Sequence, residues 1–296
     1  CEDGLNISLG GNGEAILEAS VVNEASYDDC ANMTDLLFEI AILDADGDPI
    51  TPWMESLTLT CANIGTLSVG LRVTDDANMN GVPEPGIDNS NTSDAIIMVE
   101  DENNPICIAP TSLIIACADL ENDFPDDLEA AFAADAEETI ALLDARFGAP
   151  NGIDNCPGIT VTQTVQDNRT DCGTGTIFRS FGVMDAQGFS ALPNCNQTIQ
   201  IAGSHNYSIV FPADESNVEC MQPDFNGVQV IEGSCDMITV GMNVDTFAAT
   251  ADECRLIRIT YEVINLCEYG QTAPAYVIPR DADNDGIVGE EIVVNV

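Results

Sequence analysis

The chain has 296 residues, of which 51 are acidic and seven are basic, so its formal net charge is −44. All seven basic residues are arginine, and the absence of lysine excludes a P-loop lysine, Schiff-base catalysis and lysine–asparagine isopeptide crosslinks. Nucleic acids and anionic membranes both bind proteins through Lys and Arg, so we expect neither nucleic acid nor membrane insertion. With 45% hydrophobic residues the chain still has enough apolar material to fold.

Strand-forming runs separated by Gly, Asn, Asp and Pro dominate the sequence. Residues Leu5–Leu9 alternate between apolar and polar, 10–13 is a glycine-rich turn, and Ala15–Ala19 resumes the apolar run, which predicts a β-hairpin. Spacings of roughly 8–15 residues between the runs are typical of β-sandwiches. The further predicted strands are 57–60, 66–73, 95–99, 112–116, 159–165, 176–183, 198–201, 207–211, 227–231, 237–242, 256–264 and 291–296.

One segment, 125–146, has the pattern of a helix instead. It begins with Pro125 and two aspartates, is rich in alanine, and ends at Arg146 shortly before Gly148. We interpret it as a helical insertion that packs on a β-domain; a helix that binds a partner is the alternative.

A weak internal repeat divides the chain into three. Asn155-Cys156, Asp171-Cys172 and Phe178–Val183 recur as Ser234-Cys235, Glu253-Cys254 and Ile257–Val263, with Asp29-Cys30, Thr60–Asn63 and Val69–Asp75 as a degenerate first version. The repeat predicts an all-β fold of tandem immunoglobulin-like β-sandwiches with one helical insertion at about 125–146. We call the three predicted sandwiches copy 1 (1–104), copy 2 (105–203) and copy 3 (204–296).

These motifs resemble those of a known family. Cys1 followed by Ile7, Thr60-Cys61-Ala-Asn-x-Gly65, Arg72–Asp75 and the closing segment 99–105 are similar to the HYR-like immunoglobulin-type repeats of large secreted bacterial surface proteins, as is 276–286 in copy 3. The resemblance covers nearly the whole chain, although the lack of lysine and the insertion at 125–146 depart from it. It implies stalks, adhesive surfaces or fibres, and it supplies no catalytic residues.

Twelve cysteines without a CxxC pair, together with a single histidine, favour disulfides in an oxidising compartment over zinc sites. We therefore expect an extracellular or cell-surface protein. The repeat pairs Cys156 with Cys172, Cys235 with Cys254, and Cys30 with Cys61, which leaves Cys220 for Cys267. Cys195 has two candidate partners, Cys107 and Cys117. Cys1 bonds another molecule, bonds the spare cysteine of copy 2, or stays a free thiol.

Calcium is the ligand that the acidic motifs favour. Asp281, Asp283 and Asp285 alternate before Gly286, as in the first half of an EF-hand loop, because a hard cation needs six to eight oxygen ligands. Position 12 of such a loop is Ile292, and Glu290 comes early, so we predict a calcium loop between strands. A solvated acidic turn is the alternative. Weaker candidates are Asp76, Asn78 and Asn80; Asp44, Asp46 and Asp48; and Asp101 in the acidic linker 100–105.

The sequence contains no convincing catalytic constellation. His205 lies in a candidate linker, 203–208, where a surface histidine is expected rather than a general base. Six Asn-x-Ser/Thr sequons are candidate glycosylation sites, starting at Asn6, Asn32, Asn91, Asn168, Asn196 and Asn206.

The predicted function is therefore structural and non-enzymatic. We expect a subunit of an extracellular filament or surface appendage that is stapled by disulfides, stabilised by calcium and assembled head to tail through the strand edges at 5–9 and 291–296. An adhesin stalk or binding module, whose glycan or protein ligand the sequence leaves open, is the alternative.

Overall fold

A computed structural model of the chain describes residues 3–27, 36–76, 82–120, 124–125, 127–215, 227–232, 235–248, 256–270 and 274–295. Within these ranges the regular elements are the strands β1 (Leu5–Ser8), β2 (Glu14–Glu18), β3 (Leu37–Ile42), β4 (Ser56–Thr60), β5 (Gly65–Thr74), β6 (Ser90–Glu100), β7 (Ile106–Ile108), β8 (Leu113–Ala116), β9 (Asn151–Ile153), β10 (Thr160–Asp167), β11 (Gly175–Met184), β12 (Cys195–Ala202), β13 (Ser208–Phe211), β14 (Gln229–Ile231), β15 (Ile238–Phe247), β16 (Leu256–Asn265) and β17 (Ile292–Asn295), and the helices α1 (Ala19–Val22), α2 (Leu128–Ala134) and α3 (Ala136–Phe147).

The strands form six sheets, ordered β1-β6-β5-β3, β10-β11-β12-β8, β14-β13-β17, β15-β16, β2-β4 and β7-β9. The described chain is mostly β, and α2 and α3 lie where the helical insertion was predicted. The prediction of an all-β fold with one helical insertion is therefore confirmed. Every predicted strand overlaps an observed one, whereas β3, β7 and β9 were not predicted.

The chain divides into two compact units. Unit 1 consists of 1–109, 149–163 and 180–195, and unit 2 of 110–148, 164–179 and 196–296. Copy 1 lies wholly within unit 1, whereas residues of copy 2 occur in both units. The compact units thus follow a different division from the repeat, and the three copy boundaries stay a prediction.

Unit 1 contains a β-sandwich. The sheet β2-β4 contributes Leu17 and Leu59 to a core that the other sheet completes with Ile40, Val69 and Ile97, all at most 1% exposed. Along β2 and β4 the buried leucines alternate with exposed residues, which is the pattern expected when one face of a sheet is buried.

The predicted hairpin at the start of unit 1 is wrong. β1 pairs in parallel with β6, and β2 pairs with β4 in the other sheet. Gly13 N donates to Gly10 O, so the turn itself forms, but it carries the chain from one sheet to the other. Two apolar runs around a glycine turn predict the turn, but they do not indicate which strand each run pairs with.

In unit 2 the helical insertion covers a sheet. Leu128 and Leu143 from the two helices share a core with Ile177 of β11 and Ile199 of β12, and all four are fully buried. The predicted single helix is interrupted at Asp135, whose extended backbone (φ −148°, ψ 94°) ends α2. Its carboxylate accepts a hydrogen bond from Glu138 N (3.0 Å), so Asp135 is also the N-cap of α3.

An arginine recurs at one position of the repeat, and its partners differ between copies. Arg72 pairs with Glu39 (2.6 Å) and Arg258 with Asp245 (2.7 Å), in each case directly across to the neighbouring strand. Arg179 is instead fully buried, although burial lowers its pKa, and it pairs with Asp144 of α3. The insertion therefore supplies the counter-charge that a neighbouring strand supplies in copies 1 and 3.

Candidate metal centre and disulfide links

The acidic loop predicted to bind calcium lies in unit 2, between β16 and β17. Gly289 N donates to Arg280 O (3.1 Å) and Asp214 N donates to Gly289 O (2.6 Å), so backbone hydrogen bonds close the base of the loop. An ion pair between Arg280 and Asp214 joins the same two segments. The loop is thus held at its base, while its tip carries the acidic residues.

The three alternate aspartates come together at the tip. One carboxylate oxygen from each of Asp281, Asp283 and Asp285 lies within 4.8 Å of the other two, and in the described part of the chain no other three acidic, His or Cys residues form such a group. Asn284 (φ 62°) and Gly286 (φ 91°) adopt left-handed conformations, which turn the backbone at the tip of the loop. Asp281 Oδ1 is buried without a hydrogen-bond partner. The group has the oxygen chemistry that a calcium ion requires.

The charges of the three aspartates act on Glu290. The charge of Asp285, then desolvation and the charges of Asp283 and Asp281, raises the pKa of Glu290 above its ordinary value. Ile292, at the twelfth position of the loop, begins β17 and pairs with Phe211 of β13, so it offers no carboxylate there. A cation held by the three aspartates would reverse the repulsion on Glu290 and make it a natural fourth ligand.

The weaker acidic candidates have different surroundings. Asp44 Oδ1 accepts hydrogen bonds from Asp46 N (3.0 Å) and Asp48 N (2.9 Å), which makes 44–48 an exposed turn closed by its own aspartate. Asp76 is described, but its predicted co-ligands Asn78 and Asn80 lie outside the described residues. Asp101 is buried, at 1% exposure.

Four disulfides join described cysteines: Cys61–Cys156, Cys107–Cys195, Cys117–Cys235 and Cys172–Cys267. The pair Cys107–Cys195 is one of the two alternatives that the sequence left open for Cys195. The other three disulfides each join one predicted copy to the next. The disulfides therefore link the copies, where the repeat had suggested that they staple each copy internally.

The remaining predicted pairings are wrong. Cys156 cannot pair with Cys172, nor Cys235 with Cys254, because Cys156, Cys172 and Cys235 have other partners. The pairings Cys30–Cys61 and Cys220–Cys267 fail because Cys61 and Cys267 are bonded elsewhere. Cys1, Cys30, Cys220 and Cys254 themselves lie outside the described residues. The pairings suggested by the repeat fail because three of the four described disulfides run between predicted copies.

The only histidine, His205, is half-buried and lies between two acids. Its Nδ1 lies 2.7 Å from Asp236 Oδ1 and its Nε2 lies 3.5 Å from Glu268 Oε1. Asn265 Nδ2 also donates to Asp236 Oδ1 (2.7 Å), so the buried carboxylate is part of a polar network. A carboxylate therefore faces each ring nitrogen of His205.

The sequons are placed at the surface wherever they are described. Asn6, Asn91, Asn168, Asn196 and Asn206 are exposed, and Asn32 lies outside the described residues. Their glycosylation stays a prediction. None of the described helices has the length and apolar character needed to cross a membrane.

The sequence matches no protein-family model and no curated protein sequence. Among solved structures it is similar to human CDH23 EC21–23, with 14% identity, 88% of each chain covered and a TM-score of 0.30. It is also similar to Protocadherin Gamma B7 extracellular cadherin domains 1–4, with 11% identity, 90% of this chain and 75% of that chain covered, and a TM-score of 0.26. At these scores the likeness carries no weight for fold or function.

The class of protein is therefore defined by the chain's own features. It is a mostly β protein with four described disulfides, and disulfides of this number persist in oxidising compartments outside the cytosol. The fold and the disulfides together are those of a secreted or cell-surface β-protein.

Proposed function

We propose that the chain is a structural subunit of an extracellular filament or surface appendage, whose subunits join head to tail. The observation that carries this proposal is a disulfide that recurs between successive copies. Cys61 of copy 1 bonds Cys156 of copy 2, and Cys117 of copy 2 bonds Cys235 of copy 3. The HYR-like resemblance, with its implication of stalks and fibres, agrees with this role.

The two disulfides share one feature of local structure. Cys61 and Cys117 each begin a short 3-10 turn directly after a strand, β4 and β8 respectively. Cys156 and Cys235 are the equivalent cysteines of the repeat. The sequence separations are 95 and 118 residues, and the longer one encloses the helical insertion. Each of these disulfides therefore joins a cysteine that follows a strand of one predicted copy to the repeat-equivalent cysteine of the next copy.

A further link between copies can run to another subunit. Cys30 of copy 1 is the repeat equivalent of Cys156 and Cys235, and Cys220 lies in copy 3. Both have lost the partners that the repeat suggested. A disulfide from Cys220 of one subunit to Cys30 of the next would join copy 3 to copy 1 and make an open, heterologous interface.

Strand edges offer a non-covalent contact in the same direction. β1 is an edge strand of the sheet β1-β6-β5-β3, and β17 is an edge strand of the sheet β14-β13-β17. Val293 of β17 is 55% exposed. An edge strand has unpaired N–H and C=O groups that pair readily with another chain. In this arrangement β17 of one subunit lies beside β1 of the next.

The assembly is tested on the oxidised full chain. We expect a ladder of SDS-resistant oligomers that collapses to monomer on reduction, and a crosslinked peptide containing Cys30 and Cys220 in mass spectrometry. Cys220→Ser should abolish the ladder, whereas Cys1→Ser, the matched control, should retain it. Deleting 291–296 should weaken filament formation seen by microscopy and sedimentation.

Two results would contradict this model. A Cys30–Cys220 bond found inside the monomer would remove the covalent joint, and loss of the ladder in Cys1→Ser alone would move it to Cys1. Isolated rods without oligomers under oxidising conditions would favour an adhesin stalk.

Calcium binding by the loop at 281–285 is the second part of the proposal. Extracellular modules bind calcium with dissociation constants of about 10⁻⁴–10⁻³ M, so 10 mM calcium should stabilise unit 2 by about 1–3 kcal/mol. EGTA should lower the melting temperature accordingly, and Asp283→Asn should remove the difference. Asp171→Asn, which deletes one exposed charge elsewhere in unit 2, is the control and should keep it.

The pH dependence of calcium binding gives an independent check. The pKa of Glu290 is raised in the calcium-free loop, so Glu290 takes up a proton before an ordinary glutamate does as the pH falls. Calcium must displace that proton, and its affinity should therefore decrease as the pH is lowered toward the carboxylate range. An affinity that is the same in Glu290→Gln and in the unsubstituted protein at every pH would exclude Glu290 as a ligand.

A further inference from the structure

A second group of oxygen atoms in unit 1 lies where copy 1 meets copy 2 in the sequence. Three buried side-chain oxygens there accept no hydrogen bond: Asp101 Oδ2, Asp154 Oδ1 and Asn155 Oδ1. Asp101 is 1% exposed, so water does not solvate its charge. A buried carboxylate with an unsatisfied oxygen is costly, and folded proteins compensate it with a partner.

A hydrogen-bond network holds Asp101 and Asn155 together, and Asp154 directly precedes Asn155 in the chain. Asp101 Oδ1 accepts from Asn155 Nδ2 (3.0 Å) and from the backbone and side-chain nitrogens of Asn103 (both 3.1 Å). Asn155 Nδ2 also donates to Gly10 O (3.2 Å), and Asn103 Nδ2 donates to Leu9 O (3.0 Å). The donors to Asp101 thus all bond Oδ1, and Asp101 Oδ2 has none.

Covalent and steric constraints fix Asn155 in this place. Its neighbour Cys156 is bonded to Cys61, and Asp154 Oδ2 accepts from Cys156 N (3.2 Å). Gly13 lies so close that an added Cβ would stand 2.6 Å from Asn155 O, and its φ of +74° favours glycine further. The oxygens are therefore positioned before any ligand arrives.

No cationic side chain balances these acids. The chain has no lysine, and in the described part of the chain no ion pair involves Asp101 or Asp154. Two carboxylates and an amide oxygen without a donor form a ligand set for a hard cation, whereas zinc and softer metals prefer nitrogen and sulfur. The nearby cysteines are unsuitable because they are oxidised to a disulfide.

We propose that Asp101, Asp154 and Asn155 form a second calcium site, in unit 1, with water completing the coordination. The ion would neutralise the buried charge of Asp101 and occupy all three unsatisfied oxygens. It would thereby fix the linker at 101–105 beside the disulfide Cys61–Cys156. This proposal extends the calcium part of the proposed function, but it uses different residues in a different unit, and it does not depend on filament assembly.

Calcium stoichiometry of the full chain tests the site. In equilibrium dialysis with calcium alone, Asp101→Asn should bind one ion fewer than the unsubstituted protein, or bind it about tenfold or more weakly. Asp154→Asn should do the same. Glu102→Gln removes an adjacent but exposed charge and should leave the count unchanged. Asp283→Asn should lose a different ion, so the double variant with Asp101→Asn should lose both.

The melting temperature of Asp101→Asn without calcium shows whether the variant still folds. Without calcium, Asp101→Asn replaces a buried carboxylate, one oxygen of which has no partner, by a neutral amide of nearly the same shape, so its melting temperature should equal or exceed that of the unsubstituted protein. An unchanged calcium count in both Asp101→Asn and Asp154→Asn would overturn the proposal. The unsatisfied oxygens would then be compensated by a bound proton or a trapped water molecule. Loss of an ion only in Asp283→Asn would likewise retain the loop site and reject this one.

Discussion

Replacing Arg179 with methionine should lower the free energy of unfolding of unit 2 by about 3–5 kcal/mol, because it leaves the partners of a buried charge unpaired. Arg179 is fully buried and donates to Gln197 Oε1 (2.7 Å) and Gly148 O (2.9 Å) besides pairing with Asp144. Gln197 is itself fully buried. The variant would therefore lose the contacts through which Arg179 joins α3 to the sheet of unit 2.

Two spectroscopic signals separate the units in a urea titration. Trp53 is the only tryptophan and lies in unit 1, whereas the two longer described helices lie in unit 2. In Arg179→Met the helical circular dichroism should be lost at lower urea, while the Trp53 fluorescence transition stays in place. Arg258→Met is the matched control, because Arg258 occupies the same repeat position but is 63% exposed, and it should cost at most about 1 kcal/mol. Equal losses in both variants would show that Arg179 contributes no more than a surface ion pair.

Removing the disulfide Cys117–Cys235 with a pair of alanines should destabilise unit 2 by about 2–5 kcal/mol. A crosslink over 118 residues strongly restricts the unfolded chain, and both cysteines pack against the core that α2 and α3 share with the sheet. The helical signal should again move to lower urea. The fluorescence of Trp53 should not follow it.

A disulfide within unit 1 gives the reciprocal control. Removing Cys61–Cys156 should shift the Trp53 transition and leave the helical signal in place, because both cysteines contact the unit 1 core. Peptide mapping of the unsubstituted protein should find both bonds. Peptides that join Cys156 to Cys172 or Cys235 to Cys254 would contradict the described connectivity and restore the pairings that the repeat suggested.

Local signals in the sequence predicted most elements and few of their partners. The alternating runs placed the strands because each strand buries one face, and β3 was missed because its apolar residues do not alternate. The helical insertion was found from its alanine content and end signals. Its interruption was missed, although Asp135 followed three residues later by Glu138 is an N-cap pattern inside the run.

Of the two candidate sites, the sequence predicted the one whose residues are close together in the chain and missed most of the other. The loop at 281–285 was predicted as a candidate site because its aspartates are close in sequence, and the described carboxylates do come together. Asp101 was singled out for its acidic linker, but Asp154 and Asn155 were missed, since they lie more than 50 residues away. The sequence pair Asp154-Asn155 directly before a cysteine was the available signal, and its meaning depends on the disulfide that brings it to the linker.

The sequence by itself determined the acidic, lysine-free chemistry, the positions of most strands and the place of the helical insertion. Each of these depends on residues a few positions apart, where the chain geometry is fixed by secondary structure. Only the tertiary structure decided that β1 joins β6 instead of β2, that Arg179 pairs with a helix, and that three of the four described disulfides connect successive copies. Those choices depend on which distant segments share a core, and burial of apolar surface is non-directional, so no local pattern encodes them.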